Sequence, residues 1–374
     1  MLGGVSTAVE TLRRTLERLG HDVVVIAPRM AGACEPTPGV MRVPAVPAPT
    51  YPDFSLPLPV LRGLARRMEA LGLDVFHAQH PFLLGATARR LARRLGRPLV
   101  FTYHTLYDKY AHYVPLPRPV VADRAVAWST RFANSADLVI APSAGLAARL
   151  RGQGVRRPVQ VLPTGVDLGL FQPGDRAAAR AALGLPAAPL LLYVGRLDRE
   201  KNLTFLLDAF ERIAVGHPTV QLVLVGRGTQ EKSLRHYAAG LAARARVRFG
   251  GGVPQAQVVR YYQAADVFAF TSTTETQGLA VLEAMASGLP VVAVRASGVE
   301  EAVVDGVTGL LTPEDREVFA AAVLEVLADP GLAGKLASGA REGAQPFAAD
   351  ALGARLCAIY QRLRAGIGPD RAVE

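Results

Sequence analysis

The 374-residue sequence is poor in cysteine, with only Cys34 and Cys357, far apart and in no metal-binding or redox spacing. That excludes a disulfide framework and a zinc-ribbon type of domain, and two lone thiols fit a reducing, cytoplasmic compartment. No apolar run is long enough to span a bilayer. The opening residues MLGGVSTAVETLRR lack the apolar core of a signal peptide, so secretion is not expected. Lysine is nearly absent, occurring only at 109, 201, 232 and 335, so the formal charge of +10 rests on arginine. Such a balance points to anionic partners, either phosphorylated substrates or an anionic membrane surface. Codon bias accounts for part of the arginine excess but not for its clustering. Nucleic acid is not an expected partner, because no recognised module and no strand with interleaved aromatic and basic residues is present.

Half of the chain is apolar and a fifth is charged, a globular composition, and the length exceeds what one core usually holds. Short β-branched runs alternate with amphipathic ones. HDVVVIAPR, DVFHAQH, PLVFTYHT, ADLVIAPS and PVQVLP read as buried parallel strands; the second half repeats the style with PLLLYVG, VQLVLVG, VRFGG, DVFAFTS and PVVAV. Helical patterns are predicted at 5–19, 57–71, 83–96, 118–134, 143–152, 202–215, 230–244, 255–264, 278–287 and 299–305. The expected fold is α/β, with two doubly wound parallel-sheet domains facing a cleft. The expected divisions are a first domain over 1–172, a Pro/Gly-rich linker over 173–189 and a second domain over 190–346. A terminal helical segment over 347–374 is expected to cross back to the first domain. A doubly wound domain opens with a strand, yet the chain opens at the turn, so the first strand of the N-terminal domain is expected to be missing.

The segment TTETQGLAVLEAMASGLP, residues 273–290, places Glu275 in a polar loop and Glu283 inside an Ala-rich helical run, with Gly278 where the helix begins. A helix start presents free N–H groups and the positive end of a dipole, which suits a phosphate, and flanking carboxylates suit hydroxyls. Arg196 and Lys201 follow the strand PLLLYVG. Cations there stabilise the charge that builds on a departing diphosphate. His104 stands at the carboxyl end of a strand, where ligands bind in such folds. No acidic pair or histidine cluster has metal-ligand spacing, so no metal is expected.

Five segments together resemble retaining glycosyltransferases of family 4, which have the two-domain GT-B fold: GGVSTAVETL at 3–12, FTYHTLYDKYAHYVP at 101–115, LPTGVD at 162–167, VGRLDREKN at 194–202 and TETQGLAVLEAMASGLPVVA at 274–293. The resemblance implies that Glu275 holds donor-sugar hydroxyls and Glu283 the nucleotide ribose. It implies that Arg196, Lys201 and the backbone N–H groups of Gly278 and Leu279 bind the diphosphate, with the Gly3–Gly4 turn beside it. His104 would contact the donor sugar near the reacting carbon. The donor is expected to be a nucleotide sugar, UDP-glucose by preference, with the base near 249–254 and no other cofactor. Arg227 stands where relatives often carry a small or acidic residue, and no role is assigned to it.

HTLYDKYAHYVP resembles family members that glucosylate diacylglycerol, and Tyr107, Tyr110 and Tyr113 share the spacing of one helical stripe, a candidate acceptor contact. Arg90, Arg93, Arg94 and Arg97 share one helical face, and Arg62, Arg66 and Arg67 add to it, which suits an anionic membrane surface. A peripheral position at the inner membrane face with a lipid acceptor is therefore expected. A soluble glycan or small polyol acceptor is the alternative, as is a catalytically impaired sugar-nucleotide-binding protein on the same scaffold.

Overall fold

The computed structural model describes residues 4–29, 38–48, 51–58, 63–109 and 118–367. The chain divides into two compact units, Val9–Pro163 with Leu352–Glu374 and Thr164–Ala351 with Met1–Ala8. The strands of the first are Val25–Pro28 (β1), Val40–Val43 (β2), Ala45–Ala48 (β3), Tyr51–Pro57 (β4), Phe76–Ala78 (β5), Leu99–Thr102 (β6), Leu138–Ala141 (β7) and Val159–Val161 (β8). β5 to β8 form a parallel sheet in sequence order, β1 and β2 a separate parallel pair, and β3 and β4 an antiparallel ribbon.

β6 and β7 are buried along their whole length because the two-residue period of a strand feeds two cores. Leu99, Phe101 and Val139 pack with Leu64, Met68, Leu91 and Ala92. Val100, Leu138 and Ile140 point the other way, onto Leu352, Leu356 and Ile359 of the terminal helix Ala349–Arg364. A hydrogen bond of 2.5 Å between Tyr360 Oη and His77 Nδ1 pins the same helix to β5.

The second unit holds Leu190–Val194 (β9), Gln221–Val225 (β10), Val247–Gly251 (β11), Val267–Phe270 (β12), Val291–Val294 (β13) and Leu310–Thr312 (β14) in one parallel sheet. Their order is β11-β10-β9-β12-β13-β14. Helices Leu203–Gly216, Glu231–Ala239, Gln255–Ala264 and Leu279–Ala286 connect successive strands, so both faces are covered and β9, β12 and β13 are fully buried. The winding reverses between β9 and β12. At such a switch point the loops at the carboxyl ends diverge and leave a crevice. In this unit β9 pairs with both β10 and β12. In the first unit the β1–β2 pair and the β5–β8 sheet are separate, and among the described residues no strand pairs with both β1 and β5.

The structure adds elements beyond those read from the pattern. The 173–189 segment contains a helix, Arg176–Leu183, started by the Asp175 carboxylate and stopped at Gly184 with φ 60°. It belongs to the second unit: Ala179 is in its core and Arg180 reaches Asp266 and the Ala264 carbonyl. Of the expected 57–71 helix the described residues show Leu64–Ala70, and Tyr51–Pro57 is extended, because prolines cannot supply helical N–H groups. Helices Arg316–Ala328 and Pro330–Ala344 complete the second unit.

Candidate functional site

The loops after β9 and β12 carry the residues singled out at the second unit's switch point, and the structure brings these residues together. Thr271, Ser272 and Thr274 follow β12, and their hydroxyls donate to the carbonyls of residues 200–202. That fixes the turn bearing Lys201 against the loop bearing Glu275. Lys201 Nζ then lies 2.6 Å from Glu275 Oε1, with both side chains largely buried. Burial pushes the Glu275 carboxyl upward, but Lys201, Ser272 and Arg196 outweigh it, and the group sits below its ordinary value. Glu275 is thus an anion already neutralised by a cation, able to accept two hydroxyl hydrogens without a net buried charge.

Arg196 is aimed by two carboxylates. Its Nη1 is 2.9 Å from Asp198 Oδ2 and its Nη2 is 2.6 Å from Glu200 Oε1, and both acids are buried. Asp198 is itself fixed by the Thr229 N–H and hydroxyl, each 2.7 Å from Oδ1. Neither acid was singled out in the sequence.

Gly278 has φ 77° and ψ 56°, a conformation that suits glycine, and Leu279 opens the helix. The loop before it packs backbone on backbone: a β-carbon at Gly298 would lie 2.3 Å from the Glu275 carbonyl oxygen. The Gln277 side chain accepts from the Thr164 N–H (2.7 Å) and donates to the Thr164 carbonyl (2.9 Å), holding the loop from the other side. Nothing local in the sequence marks Gln277, because its partner lies over a hundred residues away.

Glu283 sits one turn into that helix. Tyr262 Oη donates to its Oε2 at 2.9 Å and to the Ala280 carbonyl at 3.2 Å. Burial raises the Glu283 carboxyl to about 7, against the pull of the Tyr262 hydrogen bond. The two glutamates are therefore in opposite electrostatic states, one ionised and paired, the other poised near neutrality.

In the first unit His104 follows β6. His104 Nε2–H donates to Gln79 Oε1 at 2.7 Å, and burial followed by the neighbouring His80 pushes its pKa down to about 4. It is a neutral imidazole held in one orientation. Tyr107 packs edge-on against Phe82 and Tyr103 and is part of the core margin. It lies in a single turn over 107–109, and Tyr110 and Tyr113 of the expected stripe lie outside the described residues. Gly4 begins the Gly4–Arg18 helix with open space at its α-carbon, while Gly3 lies outside the described residues. Among the described residues no three His, Cys, Asp or Glu side chains are grouped as metal ligands. Among them, too, no helix is long and apolar enough to cross a membrane.

Comparison with known proteins identifies the family. The family model for glycosyltransferase family 4 matches residues 2–170, and that for glycosyl transferases group 1 matches residues 175–343. The alpha-monoglucosyldiacylglycerol synthase of Streptococcus pneumoniae is 32% identical over 340 residues, spanning 87% of this chain and 75% of that protein. That of Acholeplasma laidlawii is 31% identical over 93% of this chain and 90% of its own. The D-inositol 3-phosphate glycosyltransferase of Acidothermus cellulolyticus is 34% identical, covering 98% and 90%. Among solved structures, sucrose-phosphate synthase from Thermosynechococcus elongatus matches with a TM-score of 0.79 at 29% identity, over 97% of this chain and 94% of that one. Anabaena HepE, solved with UDP-glucose, matches in fold with a TM-score of 0.76 at 23% identity, over 96% of both chains. With both halves matched in order and relatives above 30% identity along most of their length, the chain belongs to glycosyltransferase family 4 and is a hexosyltransferase of the GT-B fold.

Proposed function

We propose that this hexosyltransferase moves glucose from UDP-glucose to diacylglycerol, with retention at the anomeric carbon and without a metal, at the inner membrane face. The observation that carries the donor half is the Lys201–Glu275 pair beside the helix start at Gly278, with Arg196 in the adjacent loop. Arg196, Lys201 and the N–H groups of Gly278 and Leu279 supply positive charge for the departing diphosphate. Glu275 accepts from the sugar hydroxyls and Glu283 from the ribose. Neutral His104, oriented by Gln79, contacts the donor sugar. The acceptor hydroxyl attacks from the side of the leaving group, and a diphosphate oxygen takes its proton. With charge supplied by side chains and backbone, EDTA is expected to leave turnover nearly intact. Loss with EDTA and rescue by magnesium or manganese rejects the metal-free reading.

The acceptor half rests on the names of two relatives and on the arginine face. Arg90, Arg93, Arg94 and Arg97 are exposed on and just beyond the helix Leu84–Leu95, as are Arg66 and Arg67 on Leu64–Ala70; Arg62 lies outside the described residues. Each cation near an anionic surface contributes about 1 kcal/mol. Replacing those four arginines by glutamate is expected to lower binding to anionic vesicles more than tenfold, with folding checked by melting. Binding indifferent to substitution, salt and lipid charge removes this face from the mechanism. The direct test supplies UDP-glucose with diacylglycerol vesicles or with inositol 3-phosphate. An α-linked lipid product supports the reading; transfer to the polyol alone selects the small-acceptor alternative, which the Acidothermus relative favours.

A further inference from the structure

Arg227 is the residue that the reaction leaves without a task. It follows Gly226 at the carboxyl end of β10, and its side chain runs across Gly252 in the loop after β11. A β-carbon at Gly252 would lie 3.0 Å from Arg227 Cγ and 3.1 Å from both Cδ and Nε. The glycine is what lets the stem lie flat on the loop.

The ground beneath it is bare backbone. A β-carbon at Gly226 would meet the Gly195 carbonyl oxygen at 1.8 Å, and one at Gly228 the Leu197 carbonyl oxygen at 2.3 Å. Leu197 N–H donates to the Arg227 carbonyl and Gly226 N–H to the Gly251 carbonyl, each at 2.9 Å. The carboxyl-end loops of β9, β10 and β11 thus form one shelf with almost no side chains standing on it. Arg196, in the first of these loops, is oriented by Asp198 and Glu200, and Arg235 pairs with Glu231. Among the described residues nothing pairs with the Arg227 guanidinium, and the residue is exposed. The helix Gln255–Ala264 begins directly beyond the shelf, and its Tyr262 reaches Glu283. A nucleotide with its phosphates at Arg196 and its ribose at Glu283 has this shelf within reach of its base.

We propose that Arg227 is the nucleobase contact of the donor site, covering the base on the Gly250–Gly252 shelf and favouring a base with ring carbonyl oxygens over adenine. This rests on the nucleotide-sugar reading above. A guanidinium is planar and weakly hydrated, so it stacks on a heterocycle, and its N–H groups seek carbonyl oxygens, which uracil offers and adenine lacks. Lysine has the charge without the plane.

The test is equilibrium binding of UDP, ADP and inorganic pyrophosphate to the full chain and to Arg227→Ala, Arg227→Lys and Gly252→Ala. The last crowds the stem, which must give by a few tenths of an ångström, while keeping the arginine. Arg227→Ala is expected to weaken UDP about tenfold, ADP less, and pyrophosphate by less than twofold. Arg227→Lys should recover little of the loss, and Gly252→Ala should lose less than Arg227→Ala at an unchanged melting temperature. The donor KM should rise with kcat nearly constant. Equal losses for UDP and pyrophosphate make Arg227 a phosphate ligand and overturn the proposal, as does an unchanged UDP affinity. A wild-type chain that binds no nucleoside diphosphate overturns the donor reading itself, an outcome distinct from wild-type binding that the variants leave untouched.

Discussion

Glu275→Gln is expected to lose about 10- to 150-fold in kcat/KM for the sugar nucleotide while UDP binds within a few-fold of wild type. The shape is kept, and the amide oxygen still accepts a hydrogen bond. What goes is the charge that makes bonds from sugar hydroxyls strong, a loss of roughly 1.5–3 kcal/mol. UDP lacks the transferred hexose, so its affinity does not register that loss. It registers instead the release of Lys201, whose Nζ is now 2.6 Å from the carboxylate. A lysine freed of its carboxylate is a stronger phosphate ligand, so UDP affinity is expected to hold or rise slightly. Single-turnover rates and calorimetry with UDP separate the two effects. Parallel loss of turnover and UDP affinity moves Glu275 to the nucleotide side and breaks the assignment of the two glutamates.

What could be read in advance follows from where each signal resides. Most strands of the two large sheets were legible as short apolar runs, some buried on both faces, such as Leu190–Val194 and Leu138–Ala141, while the three-residue strand Leu310–Thr312 was not. The Gly278 helix start and the position of His104 after β6 were legible for a related reason: strand ends and glycine turns are local. The Pro-rich ribbon of β3 and β4 was not, because its prolines mask the strand pattern. Helices Arg176–Leu183 and Pro330–Ala344 carry readable caps, Asp175 and Asp329, but their Pro/Gly flanks look like linkers. In the site, the residue types were visible and their pairings were not. Tyr262 with Glu283, Gln277 with Thr164, and Lys201 with Glu275 join segments from 21 to 113 positions apart. Only the sheet order, which places β9 beside β12, makes the last pair possible.

The Tyr262–Glu283 pair leads to the second large effect, which couples stability to ligand binding. Burial raises the Glu283 carboxyl from 4.5 to about 7. Below pH 4.5 the group is protonated in both folded and unfolded chains and contributes its full share. Between 4.5 and 7 the unfolded chain ionises while the folded one holds its proton, so this share of stability is lost as pH rises. It is gone above pH 7, a change of roughly 3 kcal/mol at 1.36 kcal/mol per unit. Glu283→Gln keeps an acceptor for Tyr262 and has nothing to ionise. It should match wild type near pH 4.5 and be the more stable of the two at pH 8, in denaturant titrations run as a difference between the chains. The same substitution should weaken UDP, because two ribose hydroxyls donate better to a carboxylate than to an amide. Wild-type UDP affinity should therefore climb as pH rises through 7, and below that pH binding should release a proton, measurable by calorimetry in buffers of different ionisation enthalpy. A stability difference flat from pH 4.5 to 8 removes the buried-acid argument, and a Glu283→Gln chain that binds UDP as wild type does removes the ribose from this residue. If both effects appear together, the cost that Glu283 imposes on folding at neutral pH is the same ionisation that the nucleotide uses, so the site is less stable empty because it is built to be filled.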